Sequence, residues 1–291
     1  MLRLAIIVGA LTLPTAPHAQ MANDGVIDGR GDIAARKYAV AAKWQGNADD
    51  QYVINYEDIL FRLRVTPHLK AAEDGDAASQ IKLGDAYYSA EKYSEAENWY
   101  RKAAAQGHAA AQFNLGFIYV NGRGVPQDDA EAVRWFRRAA LQGHAEAQFN
   151  LAFMYDEGQG VPQEDDTALK WYRAAADNGN VKAQFNLGAI YDEGRGVPED
   201  DAAAVKWYRQ AAAQGYAKAQ NTLGIMYENG RGVPQDAVRA HMWYSLAASR
   251  LPAGEARESA LRNRDSLAER MTPGQIGEAQ LLARDWEPEE D

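Results

Sequence analysis

The feature that most constrains the fold is a repeat of 36 residues. Glycines at this spacing open four successive units, namely Gly107, Gly143, Gly179 and Gly215. Equivalent positions keep the same large residue: Leu115, Leu151, Leu187, Leu223; Tyr119, Tyr155, Tyr191, Tyr227; Trp135, Trp171, Trp207, Trp243. An earlier unit begins at Gly75 and is shorter, because it lacks the Gly-Arg-Gly-Val loop. A fixed period of this length predicts a solenoid of stacked units.

Each unit is predicted to form two antiparallel helices. In the unit that opens at Gly107, we place the first helix at about 109–120 and the second at about 129–141. One side of the first helix carries its apolar, amide and small residues: Ala111, Gln112, Leu115, Gly116 and Tyr119. Because Gly116 has no side chain, the second helix can approach closely there. Large aromatic side chains are expected to fill the space between adjacent units. The glutamine column on this buried side is interpreted as structural: Gln112, Gln148, Gln184 and Gln220.

The loop between the two helices follows from local chemistry. Gly122 can adopt the left-handed conformation that ends a helix, and Gly124 permits a second tight turn. Pro126 prevents the first helix from continuing. Asp128 is suited to cap the second helix, and Glu131 is placed to complete a capping box. The sequence therefore predicts an all-α fold.

The repeated residues identify a family resemblance. The pattern A-x-A-Q-x-x-L-G-x-x-Y-x-x-G-x-G-V-P-x-D…A-x-x-W-Y/F-x-x-A-A resembles the Sel1-like repeat, a relative of the tetratricopeptide repeat. It covers five units: 75–106, 107–142, 143–178, 179–214 and 215–250. The resemblance implies a right-handed α-solenoid that serves as an adaptor for other proteins. Some secreted members hold each unit with a disulfide, but this chain has no cysteine and must rely on packing.

The first nineteen residues are predicted to be a secretory signal peptide. A short basic start at Arg3 precedes an apolar stretch over residues 4–13, and cleavage is expected near Ala19. This stretch is too short to span a membrane, which takes about 20 residues. We expect an exported protein, periplasmic or secreted, with no integral membrane segment after processing.

The segments around the repeats are interpreted as caps. Residues 20–74 form an N-terminal helical cap, with a helix near 33–44 and a degenerate helix pair at 52–74. Within that pair, Thr66-Pro67 is interpreted as a helix start. A C-terminal helical cap spans 251–286, with helices at about 252–270 and 273–286. An acidic tail over residues 287–291 ends the chain.

The composition excludes several kinds of chemistry. A formal net charge of −10 argues against nucleic-acid binding, and the lack of cysteine excludes thiolate chemistry. Ser79 and Lys82 match the S-x-x-K of penicillin-recognising enzymes, but Ser79 stands in the repeat's small-residue column. His108 and His144 recur in neighbouring units, about 10 Å apart, so they cannot share a metal ion. No cofactor, metal site or catalytic residue is predicted.

The candidate binding surface lies on the first helix of each unit, opposite its leucine and tyrosine. In tetratricopeptide-like arrays this face lines the concave groove. Its apolar members are Phe113, Phe117, Phe149, Phe153, Phe185 and Ile225. Its amides are Asn114, Asn150 and Asn186, with Asp156, Glu157, Asp192, Glu193 and Glu228 near the helix ends. The amide column resembles the asparagine ladder with which some tetratricopeptide superhelices hold an extended peptide.

The sequence leaves two interpretations of these residues open. The phenylalanines could pack on the next unit and the asparagines could bond within their own repeats. Alternatively, they form a peptide-binding groove whose acidic rim favours a basic protein or peptide. The leading hypothesis is an exported, non-enzymatic interaction scaffold, adaptor or regulator. The alternatives are a β-lactamase-like or penicillin-binding envelope hydrolase, and a peptidoglycan or polysaccharide binder.

Overall fold

The computed structural model describes residues 40–41, 53–54 and 56–287. The chain divides into two units, residues 1–64 and 65–291. In the first unit, β1 (Val40–Ala41) pairs antiparallel with β2 (Val53–Ile54). The predicted helix near 33–44 is therefore wrong at Val40 and Ala41, where the backbone is extended and paired. The rest of that predicted helix, the predicted signal peptide and residues 288–291 lie outside the described residues.

Helix α1 (Tyr56–Glu73) replaces the helix pair that was predicted for residues 52–74. The interpretation of Thr66-Pro67 as a helix start is wrong, because Pro67 lies inside this helix. Proline removes one backbone hydrogen bond, and the flanking residues can continue the helix around it at a cost. Proline is common in the first turn of a helix, but Pro67 does not indicate a helix start in this chain.

The second unit is a series of helices. They are α2 (Ala77–Ser89), α3 (Tyr93–Ala105), α4 (Ala109–Asn121), α5 (Asp129–Ala140), α6 (Ala145–Glu157), α7 (Asp165–Asp177), α8 (Val181–Glu193), α9 (Asp201–Ala213), α10 (Ala217–Asn229), α11 (Ala237–Arg250), α12 (Glu255–Ala268) and α13 (Pro273–Arg284). From α2 to α11, consecutive helices pack as five hairpins, and each hairpin packs on the next. We call the two helices of a hairpin helix A and helix B. This arrangement confirms the predicted all-α solenoid.

The predicted loop chemistry is also present. Gly122 ends α4 in the left-handed conformation with φ 60°, and Gly158, Gly194 and Gly230 do the same in later repeats. Asp128 caps α5 by accepting a hydrogen bond from the backbone N–H of Glu131. The Glu131 side chain pairs with Arg134 on the next turn rather than completing a capping box.

In three of the four loops the second glycine has a role beyond turn formation, the exception being Gly196. A Cβ at Gly160 would lie 2.4 Å from the backbone carbon of Asp129, at the start of helix B in the preceding repeat. At Gly232 it would lie 2.3 Å from the backbone oxygen of Asp201, and at Gly124 it would be similarly close to Ser94. Since backbone atoms cannot yield to a side chain, these glycines allow one repeat's loop to contact the previous repeat.

Each hairpin closes over a glycine or alanine of helix A. The rings of Tyr100, Phe136, Tyr208 and Tyr244 lie over Gly84, Gly116, Gly188 and Gly224 respectively. A Cβ at Gly188 would come within 2.6 Å of the Tyr208 ring. The close helix approach that was predicted at Gly116 is confirmed, and a helix-B aromatic ring fills the contact.

Buried glutamines join successive repeats. Gln148 donates from Nε2 to the carbonyl oxygen of Ala140, which lies near the end of the previous helix B, at 3.0 Å. Its Oε1 accepts from Nδ2 of Asn178 at 2.9 Å. The same first bond is made by Gln80, Gln112, Gln184 and Gln220. The structural role predicted for this column is confirmed, because each amide adds a second hydrogen bond to a helix-end carbonyl that also accepts from a loop glycine, as Ala140 does from Gly143.

Helices α12 and α13 pack against α11 at the C-terminal end of the array. Thr272 and Gln275 form the capping box predicted for α13, with Pro273 in the first helical position. His241 of α11 is buried, and its Nδ1 has no hydrogen-bond partner among the described residues. The equivalent residue one repeat earlier is Val205, so an ionisable group replaces an aliphatic one at this junction.

Burial lowers the pKa of His241; Arg264 lowers it further and Asp265 opposes this. In the unfolded chain, His241 therefore becomes protonated near pH 6.5, whereas in the folded chain it becomes protonated only at lower pH. Stability is retained above pH 6.5 and declines as the pH falls below it, by up to about 1.4 kcal/mol per pH unit. We expect His241→Val to reduce the loss of unfolding free energy between pH 7.5 and 5.5, measured by urea denaturation. The same loss in both proteins would contradict this assignment.

Candidate peptide-binding face

We use the term helix-A face for the predicted site. Its residues are Phe113, Asn114, Phe117, Phe149, Asn150, Phe153, Asp156, Phe185, Asn186, Asp192 and Ile225. In each of three repeats, the first phenylalanine packs within the hairpin against a helix-B ring. The ring centroids of Phe149 and Tyr172 are 5.9 Å apart, and those of Phe185 and Tyr208 are 5.5 Å apart. This phenylalanine column therefore contributes to hairpin packing while remaining half-buried.

The second phenylalanine column is more open to solvent. Phe117 and Phe153 are each 39% exposed, and Ile225 occupies the equivalent place in the fifth repeat. Phe117 and Phe153 are among the few large apolar side chains in the described residues that present so much surface, whereas Ile225 is half-buried. They are the apolar anchors that the helix-A face offers to a partner.

The asparagine column is half-buried, and each member bonds within the protein. Asn114 approaches the carboxylate of Asp85 at 3.4 Å, and Asn150 donates to the carbonyl oxygen of Glu146 at 2.7 Å. The Asn186 side chain faces the hydroxyl of Tyr172 and lowers the pKa of that group. These bonds occupy only part of each amide, because a side-chain amide offers two donor hydrogens and two acceptor sites.

The carboxylates near the ends of helix A take part in a recurrent junction between repeats. Asp156 accepts from the Tyr172 hydroxyl at 3.1 Å and lies 3.6 Å from Arg195, in the next repeat's loop. Asp192 makes the same contacts with Tyr208 and Arg231. Burial, followed by the adjacent carboxylate, raises the pKa of both tyrosines, so their hydroxyls stay protonated and donate.

Two further junctions support this pairing of a carboxylate with an arginine: the one between the fifth repeat and the C-terminal cap, and the one between the second and third repeats. Glu228 accepts from Tyr244 at 2.7 Å and pairs with Arg270 from the C-terminal cap. At the junction between the second and third repeats, Val120 stands in the acid column and Gln159 in the arginine column. Both charges are absent together, which indicates that the acid and the arginine act as a pair. These ion pairs reduce the negative charge that the predicted acidic rim presents.

The junction between the first two repeats differs. Asp85 occupies the place of Phe117 in the shorter first repeat, so a ring is missing. A cleft of about 410 Å³ opens there, and its lining residues are Asp85, Tyr88, Ser89, Tyr100, Phe113, Asn114 and Phe117. Sequence reasoning missed Asp85, Tyr88, Ser89 and Tyr100. The available signal was an acid in one repeat of a column that otherwise carries apolar side chains.

The serine of the S-x-x-K match lies in the first turn of α2, beside the residue that caps this helix, Asp76. The backbone N–H of Ser79 donates to Asp76 at 2.7 Å, and the serine hydroxyl also bonds this carboxylate. Ser79 is buried, whereas Lys82 is exposed. In the described part of the chain, no cluster of histidine or acidic residues could hold a metal ion, and no helix could cross a membrane.

The hairpin array, its buried glutamines and its repeated loop define the protein's class: a helical-repeat solenoid related to tetratricopeptide arrays. The Sel1 repeat model matches residues 77–108, 109–144, 145–180, 181–216 and 217–250. The chain belongs to the Sel1 repeat family, as the sequence pattern had indicated. Members of such repeat families are generally scaffolds for protein–protein interaction.

Solved structures carry the same fold. A Sel1 repeat protein from Oxalobacter formigenes is 31% identical, with a TM-score of 0.63; the match covers 81% of this chain and 96% of that one. A protective antigen from uropathogenic Escherichia coli strains is 29% identical, with a TM-score of 0.50. That match covers 80% of this chain and 57% of the antigen. A search of the curated proteins found no match to this sequence.

Proposed function

We propose that this protein is an exported, non-enzymatic scaffold that binds a protein or peptide along its helix-A face. The observation that carries the proposal is the exposed apolar column, with Phe117 and Phe153 each 39% exposed beside half-free asparagine amides. Apolar anchors supply binding energy, while amides fix the backbone of an extended peptide. The burial of Ser79 in the first turn of α2, with Lys82 exposed, supports a function without catalysis.

A site-specific crosslinking experiment tests this proposal. A benzoylphenylalanine replaces Phe117 or Phe153 in the full chain, and the control carries it at Leu141, which is 73% exposed after helix B. We expect both helix-A positions to capture the same partner from the native envelope fraction, and Leu141 to capture none of it. Capture of that partner from all three positions, or from none, would contradict a binding site on this face.

The amide column is tested by a double variant, Asn150→Ala with Asn186→Ala. We expect crosslinking through Phe153 to fall by about tenfold, because the backbone-directed hydrogen bonds are lost. The thermal unfolding midpoint should change little, since both side chains are only half-buried. A drop in stability without a change in capture would show that these amides serve their own repeats.

Export rests on the apolar stretch at residues 4–13 and is tested separately. Mass spectrometry of the protein purified from its native host should give a mature chain that begins near residue 20. An intact N-terminus on protein recovered from the cytoplasm would contradict export and would leave the binding proposal unaffected.

A further inference from the structure

From the cleft between the first two repeats, we infer that it receives the basic side chain, arginine or lysine, of a partner peptide. The inference rests on the proposed binding function and specifies one contact of the bound peptide, a basic side chain in this cleft. The cleft adjoins the helix-A face, since Phe113, Asn114 and Phe117 line it. A peptide held on that face could place one side chain into it.

The other junctions show what a carboxylate in this setting binds. Wherever a helix-B tyrosine donates to Asp156, Asp192 or Glu228, an arginine from the following repeat or cap pairs with the same carboxylate. The protein therefore uses the combination of tyrosine hydroxyl, carboxylate and guanidinium three times. A guanidinium is suited to this position because its donors are fixed in a plane that matches a carboxylate.

At the first junction the acid column holds Tyr88, and the carboxylate that accepts from the helix-B tyrosine is Asp85, from the Phe117 column one helical turn earlier; no arginine pairs with it. Asp85 accepts from the Tyr100 hydroxyl at 2.7 Å. Among the described residues, no lysine or arginine forms an ion pair with Asp85. The arginine that the next repeat supplies, Arg123, hydrogen-bonds the Tyr88 hydroxyl instead and lies over the rings of Tyr88 and Phe117.

The walls of the cleft favour a cation with an apolar stem. Tyr88, Phe113 and Phe117 line the cleft with aromatic surface, part of which Arg123 covers, and Asp85 is exposed to the cleft opening. The methylene chain of arginine or lysine can pack on such rings, and its charged end gains cation–π attraction as well as the carboxylate. The Asp85 carboxylate is not paired with an arginine, and this distinguishes the cleft from the later junctions, where Asp156, Asp192 and Glu228 each pair with one.

A titration with capped amino acids tests the inference on the full chain. The probe is N-acetyl-arginine amide, followed by backbone amide NMR; N-acetyl-norleucine amide and N-acetyl-glutamate amide are the controls. We expect saturable shifts at residues 85–89 and 113–117 with the arginine probe only. Asp85→Asn should weaken binding by about tenfold, since a charge-assisted bond is lost while the Tyr100 hydroxyl keeps an acceptor.

Matched variants separate the outcomes. Asp156→Asn, where Arg195 already occupies the carboxylate, should leave the titration unchanged, and Arg123→Gln, which copies Gln159, should not weaken it. Equal binding of arginine to the wild type and Asp85→Asn, or absence of binding, would overturn the inference. So would preferential binding of the glutamate probe that is lost in Arg123→Gln.

The experiment must also test an alternative occupant of the cleft, namely the basic residues of the same chain at 30–43. If Asp85→Asn shifted their amide signals in the absence of probe, the cleft would belong to that segment and the partner anchor would be overturned. Crosslinking through Phe153, which lies outside the cleft, reports on the proposed function independently. A failed titration with successful crosslinking would reject the anchor alone.

Discussion

Leu151→Asp is expected to destabilise the array severely. Leu151 is fully buried on helix A of the third repeat. The variant loses the burial of an aliphatic side chain and places a carboxylate where no cation or donor is provided. We expect a loss of at least about 4 kcal/mol, a large part of the stability of an ordinary domain. The thermal midpoint should fall by about 10 °C, measured by circular dichroism.

The matched control is Phe153→Asp, two residues further along the same helix. Its side chain is 39% exposed, so the new carboxylate can remain hydrated. The loss of partial ring burial should cost about 1–2 kcal/mol, less than half of the effect at Leu151. Equal losses in the two variants would show that the buried and exposed sides of helix A have been assigned incorrectly.

The second large effect is expected at Gly188, where helices α8 and α9 meet. A Cβ there would lie 2.6 Å from the ring of Tyr208. Gly188→Leu adds a branched side chain to a closed contact, so the ring or the helix must move. We expect a loss of about 3 kcal/mol in unfolding free energy, measured by urea denaturation. The gain in helix propensity, at most about 1 kcal/mol, offsets part of the strain.

Gly188→Ala is the control, and the protein itself indicates its outcome. Ala152 holds the equivalent position in the third repeat, where Tyr172 is fully buried. One methyl group is therefore compatible with this hairpin, and the variant should stay within about 1 kcal/mol of the wild type. If Gly188→Leu were as stable as Gly188→Ala, the ring over this residue would not limit the helix approach.

Much of the fold was predictable because the repeat supplies the same information several times. The role of Gly122 as a helix end is supported by the recurrence of Gly158, Gly194 and Gly230 at the same interval. The Gln148 column was assigned to the interior from helical periodicity, and the structure shows it joining repeats. Outside the array, where each segment occurs once, the interpretation of Pro67 as a helix start was wrong.

The candidate site was only partly predictable. Periodicity placed the phenylalanines and asparagines on one face, but it could not distinguish Phe149, which packs on Tyr172, from Phe153, which is exposed. The two lie one helical turn apart, so helical geometry treats them alike.

Charge pairing was the least accessible property. The acids at Asp156 and Asp192 were expected to attract a partner, yet Arg195 and Arg231 pair with them. Each acid and its arginine are 39 residues apart in the chain, so no local pattern connects them. The joint replacement by Val120 and Gln159 is a sign of the pairing, but its meaning became clear only once the contacts were known.

By itself, the sequence determined the period, the two helices of each unit, the loops that separate them and the residues that form the interior. These properties depend on interactions within about one turn of helix or within a tight loop, where residue identity decides the backbone conformation. Which charges are satisfied, and where a cleft remains, followed from the contacts between repeats. That outcome depends on how one repeat packs on the next. Whether a charged side chain can bind a further partner is known only when the residues around it are known.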